Sequence, residues 1–239
     1  MKLATFRAAG AAHVGMADPV AGRLFDLTQA ARADGTDPQM FSAMLALIDA
    51  GDAGLDAAQR LFERHGQDPA FLFDLAGADL MAPLPEPRQM RDGMSFETHI
   101  RQSGSGRGRA LAEARARGDA AEVARIEARE IPPLADVYRQ MPIYYFTNRL
   151  AVGGPGTRVV WPRYSKVMDY ELEFGIVTGR KGKNIPVSRA REHIFGYTIF
   201  NDFSARDQQF IEMQGRLGPS KGKSFENSNI LGPWIVTKD

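Results

Sequence analysis

Asp169, Glu171 and Glu173 stand at alternate positions in the stretch Val167–Val177. The stretch mixes aromatic and β-branched residues with charges in alternation and stops at Gly179, which predicts a β-strand. In a strand, side chains two residues apart point to the same face, so the three acids share one face and Tyr170, Leu172 and Phe174 the other. Carboxylates this close on a buried face repel each other, and one takes up a proton unless a cation lies between them. Two readings stand side by side. The acidic face is a solvated edge, or it offers ligands to a hard divalent cation. The apolar flanks Val167, Gly175, Ile176 and Val177 argue that the acids do not simply face water.

The elements that must hold this stretch in place can be read in chain order. Residues 2–8, 12–16 and 23–28 predict short strands, with a turn at Gly10. Asp37-Pro38 is a helix start, with Asp as N-cap and Pro at the first position. That helix carries Phe41, Met44, Leu45 and Ile48 at helical spacing and ends at Gly51, and a second one covers about 55–65. His65 reads as an exposed residue at a helix C-terminus, favoured by the helix dipole. Residues 81–88 form a Pro-rich extended linker. Ser95 predicts a helix cap, which places His99 on that helix.

Residues 101–130 are polar, helix-prone and interrupted by glycines at 104, 106, 108 and 118. They read as a solvated helical insertion or as a mobile lid over a site. Pro142–Phe146 predicts a strand, Gly153–Gly156 a turn without the features of a phosphate loop, and Val159–Trp161 a β segment leading into the acidic stretch. Residues 189–196 predict a short helix ended by Gly196, with His193 structural, followed by a strand over 197–203.

Bulk properties narrow the function. A chain of 239 residues allows one large domain, or a small one beside a medium one. A net charge of +1 gives no general pull toward nucleic acid or a membrane surface. The absence of cysteine excludes disulfides, thiolate nucleophiles and zinc–sulfur sites and fits a reducing cytoplasm. No run approaches the roughly 20 apolar residues of a membrane span.

Four ordered segments resemble the fumarylacetoacetate hydrolase superfamily: DYELEFG at 169–175, IFGYTIFNDFSARDQQ at 194–209, GKSF at 222–225 and LGPW at 231–234. The resemblance covers about residues 81–239. It implies an α+β, mainly β fold: a mixed β-roll catalytic domain over 81–239, following a small N-terminal domain over 1–80. The strands and the Gly-Asp/Gly-Thr-Pro-type loop of the family's C-terminal third have no counterpart here, so a truncated, incomplete domain is expected.

The resemblance further implies a divalent cation, Mg²⁺ or alternatively Mn²⁺ or Ca²⁺, held by Glu171, Glu173 and Asp202. Oxygen donors without cysteine suit such hard ions. Asp92 and His99 match the family's further carboxylate ligand and the catalytic base seven residues on. Lys223, Arg206 and Gln209 match its polar catalytic positions, with Lys221 a nearby competitor to Lys223. Met94 departs from the family's common aromatic, which weakens fumarylacetoacetate itself as the substrate.

The implied activity is hydrolysis of a C–C bond in an acylpyruvate or related β-diketo acid, in aromatic or similar catabolism, by a cytoplasmic homodimer. The alternatives are decarboxylation, isomerisation or dehydration of a 2-oxo acid by the same site, or an inactive remnant.

Overall fold

The structure, a computed structural model, describes residues 1–103, 107–131 and 133–238. The expected interruptions at Gly104 and Gly106 lie outside them. The chain forms two compact units. One joins Met1–Gln89 to Asn148–Asp239, and the other is Met90–Thr147.

The larger unit begins with strands β1 (Lys2–Ala8), β2 (Ala11–Asp18) and β3 (Arg23–Asp26). Buried Leu3, Val14, Phe25 and their neighbours drive this meander against two helices, α1 (Leu27–Asp34) and α2 (Met44–His65). Asp26 caps α1, accepting from the Gln29 N–H at 3.0 Å. Asp37 caps as its sequence predicts, but the residues after it form a 3₁₀ turn, Pro38–Phe41, and α2 starts only at Met44. Gly51 ends the first helical stretch as expected: its φ of 58°, a conformation that glycine takes without strain, kinks the run, and a second stretch continues to His65. His65 is not simply exposed, since its Nε2 lies 2.9 Å from the Asp34 carboxylate. Short strands β4 (Leu72–Asp74) and β5 (Asp79–Leu80) follow. The Pro-rich stretch after them is packed rather than free. Thr5 donates to the Pro83 carbonyl at 2.7 Å.

The smaller unit pairs β6 (Met90–Gly93) with β7 (Tyr144–Thr147), which confirms the strand expected near 142–146. Between them lie α3 (Glu97–Ser103), α4 (Arg107–Ala116), α5 (Ala120–Glu127) and the single turn α6 (Val137–Gln140). Gly108 lies inside α4 rather than interrupting it, while Gly118, at φ 68°, makes the turn between α4 and α5. Ala114 and Ile126 are buried, so this polar segment has a small packed seam of its own.

The larger unit resumes with β8 (Val152–Gly153), β9 (Met168–Asp169), β10 (Leu172–Thr178), β11 (Ile194–Asp202), β12 (Ser204–Ala205), α7 (Arg206–Met213) and β13 (Asn229–Thr237). The turn at Gly153–Gly156 is present. A Cβ on Gly154 would stand 2.2 Å from the Ala82 backbone nitrogen, so only glycine allows that contact. Residues 159–161 pair in no strand.

The main sheet runs β10-β11-β13-β1-β2-β3-β4, with β5 also on β1 and β8 on β13. Strands from both sides of residue 80 therefore share it, with Lys2 opposite Val236. Residues 187–193 form a 3₁₀ helix, and Gly196 lies inside β11 instead of closing a helix. The cause is tertiary. At Gly196 a Cβ would meet the Val236 carbonyl at 2.4 Å, so the strand exploits the glycine for close pairing with β13.

Candidate functional site

The acidic stretch is one strand in the sequence reading and two in the structure. β9 pairs with β12 and β10 pairs with β11, and the chain leaves the ladder at Tyr170 and Glu171. Its partner breaks at the same level, between Asp202 and Ser204. Glu171 remains tied at the break. Its N–H donates to the Asn201 side chain at 3.2 Å, and its carbonyl accepts the Asp202 N–H at 3.2 Å. The one acid of β10, Glu173, faces inward relative to the strand's apolar residues. Glu173 is half-buried, whereas Leu172 is 75% and Phe174 66% exposed, the reverse of an ordinary surface strand.

Register then brings the acids together. Glu173 lies opposite Phe200, so Asp202 is its diagonal neighbour across the β10–β11 pair. A carboxylate oxygen of Glu173 and one of Asp202 lie within 4.8 Å of each other. The Glu173 carboxyl lies beside that of Glu171. Asp202 is fully buried, at the end of its strand.

Two cations answer these acids. Lys223, 2% exposed, places Nζ 2.6 Å from Asp202 Oδ2 and 3.0 Å from Glu171 Oε1. Arg206, at the start of α7, grips Asp169 through Nε at 2.9 Å and Nη2 at 2.8 Å. Its Nη1 donates to Glu171 and, at 3.2 Å, to Gln209 Oε1. Burial opposes the charge on Glu171, but Lys223 and Arg206 outweigh it and hold the carboxyl down to about 2. Burial likewise opposes the Arg206 charge, and Glu171 and Asp169 reverse the effect and raise it. Lys221, by contrast, is exposed, its ammonium 6.0 Å from the Tyr164 ring.

Six of the eight candidate residues, Glu171, Glu173, Asp202, Arg206, Gln209 and Lys223, are thus gathered within the larger unit. Asp92 and His99 belong to the smaller one. There Asp92 accepts the Tyr145 hydroxyl at 2.8 Å from the strand facing it, and His99 is exposed on α3. Asp169 stands on the acidic face in the sequence without an assigned role, and nothing there marks Ser204, which is buried and donates to the Asp202 carbonyl at 3.0 Å. The alternate spacing of 169, 171 and 173 was the available signal for Asp169. A small hydroxyl after Asp-Phe carries none.

The donor set fits a hard divalent cation. Asp169, Glu171, Glu173 and Asp202 place four carboxyls against the two cations Arg206 and Lys223, an excess of acid that only oxygen donors supply.

The model of the fumarylacetoacetate hydrolase C-terminal family matches residues 87–239, more than half of the chain. The chain belongs to this family. A mitochondrial oxaloacetate tautomerase of Bos taurus is 26% identical over 244 residues, a match spanning the whole of this chain and 63% of that protein. Among solved structures, maleylpyruvate hydrolase of Sphingobium sp. SYK-6, in complex with manganese(II) and pyruvate, is 18% identical with a TM-score of 0.59, covering 100% of this chain and 67% of that one. A 5-carboxymethyl-2-hydroxymuconate delta-isomerase of Mycobacterium smegmatis is 21% identical with a TM-score of 0.57, again over 100% and 67%. These likenesses establish the fold: sheet-dominated, mixed α and β, of the fumarylacetoacetate hydrolase type. The chain spans less than two thirds of the length of the curated relatives it matches. The relatives include a hydrolase, an isomerase and a tautomerase, and no helix among the described residues is long and apolar enough to cross a membrane.

Proposed function

We propose that this chain is the site-bearing part of a divalent-metal-dependent hydrolase that cleaves a C–C bond in an acylpyruvate or related β-diketo acid. Residues 81–239 are its catalytic segment and residues 1–80 its N-terminal domain. The observation that carries the reading is the buried Lys223 ammonium set among Glu171 and Asp202, with Glu173 beside them. A lysine at a surface turn has no reason to bury its charge, whereas one inside an acidic cluster is poised to meet an anionic substrate.

Glu171, Glu173 and Asp202 would hold the cation, Mg²⁺ or Mn²⁺, with Asp92 as a further ligand. When bound, the cation supplies Lewis-acid polarisation of a carbonyl. His99 takes the proton from water. The hydroxide formed adds to the distal carbonyl, and the C–C bond breaks to leave a carboxylic acid and pyruvate, whose new methyl group receives a proton. Lys223 and Arg206 are the fixed donors for the negative oxygen that develops, and Gln209 holds Arg206 in place. A cytoplasmic homodimer belongs to the same reading.

A second reading keeps the site and changes the reaction. A relative matched over the whole chain is an oxaloacetate tautomerase, and proton transfer at the carbon between two carbonyls needs the same donors without a water nucleophile. Assays of acylpyruvates and oxaloacetate, each with Mg²⁺ and with EDTA, separate the two. EDTA-sensitive release of pyruvate together with the carboxylic acid from an acylpyruvate supports hydrolysis, enol–keto exchange of oxaloacetate without cleavage supports tautomerisation, and no EDTA-sensitive turnover of either substrate defeats both.

A further inference from the structure

We propose that Glu212 is a positioning residue whose carboxylate sets the place of Lys223. This rests on reading Lys223 as a working group of the site.

Glu212 lies on the last turn of α7, the helix that starts with Arg206 and carries Gln209. Its Oε2 accepts the Ser220 N–H at 2.7 Å and the Gly222 N–H at 3.1 Å, and its Oε1 accepts from Gln208 Nε2 at 2.9 Å. The two backbone donors bracket Lys221 and end immediately before Lys223. The Lys223 N–H then turns back onto the Ser220 carbonyl at 3.0 Å, and the Gly222 carbonyl accepts the Ala205 N–H at 2.9 Å. Gly222 sits so close to α7 that a Cβ there would stand 2.7 Å from the Gln209 nitrogen.

The loop is therefore pinned at two successive levels, by a carboxylate at Ser220 and Gly222 and by backbone at Gly222. Burial opposes the Glu212 charge, but the N–H groups of Ser220 and Gly222 and the Gln208 amide hold it below the ordinary carboxylate range. These partners are neutral donors, and the first charged side chain the loop delivers inward is Lys223. One helix thus sets both cations of the site: Arg206 from its first turn directly, and Lys223 from its last turn through Glu212.

The test uses the whole chain and site-resolved acetylation of lysines by a water-soluble ester, read by mass spectrometry. In the parent, Lys223 labels far more slowly than Lys221. Glu212→Ala raises the Lys223 rate by about fivefold or more while Lys221 stays within about twofold, because the loop opens locally without global unfolding. Glu212→Gln, which keeps a carbonyl acceptor at the same reach, stays near the parent. Glu212→Asp, which keeps the charge and withdraws the reach, behaves like Ala and serves if the Ala variant does not fold. In turnover, Glu212→Ala and Glu212→Asp lose about tenfold in kcat with KM changed far less, and Gln restores most of it.

Unchanged Lys223 labelling in the Ala and Asp variants overturns the inference. If Lys223→Met has lost turnover at the same time, the functional reading survives. Parental turnover in Lys223→Met overturns the role given to Lys223, and the positioning role with it.

Discussion

Glu171 is pulled two ways: toward neutrality by burial, and toward charge by Lys223 and Arg206, which prevail and bring it to about 2. A carboxyl depressed below its unfolded value of about 4.5 adds stability that is fully present above that value and is lost as pH falls through the folded one. Acidification from about pH 4.5 to about pH 2 should therefore erode stability in the parent more than in Glu171→Gln. Denaturant melts of both proteins across that window measure it, and parallel curves would refute the assignment. Glu171→Ala should also abolish Mg²⁺ binding in calorimetry. His99→Ala should leave binding intact and lower hydrolysis by about two orders of magnitude, the usual loss of a general base. Acylpyruvate cleavage at the parental rate in the histidine variant would exclude His99 as the base.

At the scale of elements, Asp26 shows how a single residue joins two of them. It caps α1 through the Gln29 N–H, accepts the Gln29 side chain at 2.9 Å, and lies 2.7 Å from His13 Nδ1 on β2, all with no exposure. Asp26→Ala removes the cap and strands the buried His13 ring nitrogen, so a loss of about 2–4 kcal/mol in unfolding free energy is expected from denaturant melts.

The same scale explains what the sequence made legible. The Asp37 cap, the meander of β1–β3 and the β7 strand could be read because local chemistry decides them. The extent of β11 could not, because Gly196 reads locally as a helix stop and only the approach of β13 makes it a strand residue. The break at Tyr170–Glu171 was equally hidden: alternation runs straight through it, and two different partner strands impose it. The gathering of Lys223 with Glu171 and Asp202 followed from family resemblance rather than from spacing, since a lysine between glycine and serine carries no sign of burial.

For the whole chain, one sheet face stands out. Leu172, Phe174 and Ile176 on β10, with Ile199 facing Phe174 from β11, are large, apolar and more than half exposed. Contiguous apolar surface of this kind is uncommon on a freely soluble monomer. The isolated 239-residue chain should therefore bind 8-anilinonaphthalene-1-sulfonate and sediment as a concentration-dependent associating species. Changing both Leu172 and Phe174 to Thr, which keeps the strand preference, should at least halve the dye fluorescence. Undiminished fluorescence would move the sticky surface elsewhere.

The pairing of β1 with β13 has a consequence for biosynthesis. Lys2 and Val236 are neighbours in the folded sheet and stand 234 residues apart (236 − 2) in the sequence. A ribosome adding about 5–20 residues per second needs on the order of 10–50 seconds to make the interval between them. Throughout that time β2 can pair on both flanks, with β1 and β3, but the Lys2–Leu3 edge of β1 stays open, available to chaperones and to other nascent chains. Deleting the first eight residues would then not trim a loose end. It would remove an interior stave and leave the two halves of the sheet facing a gap.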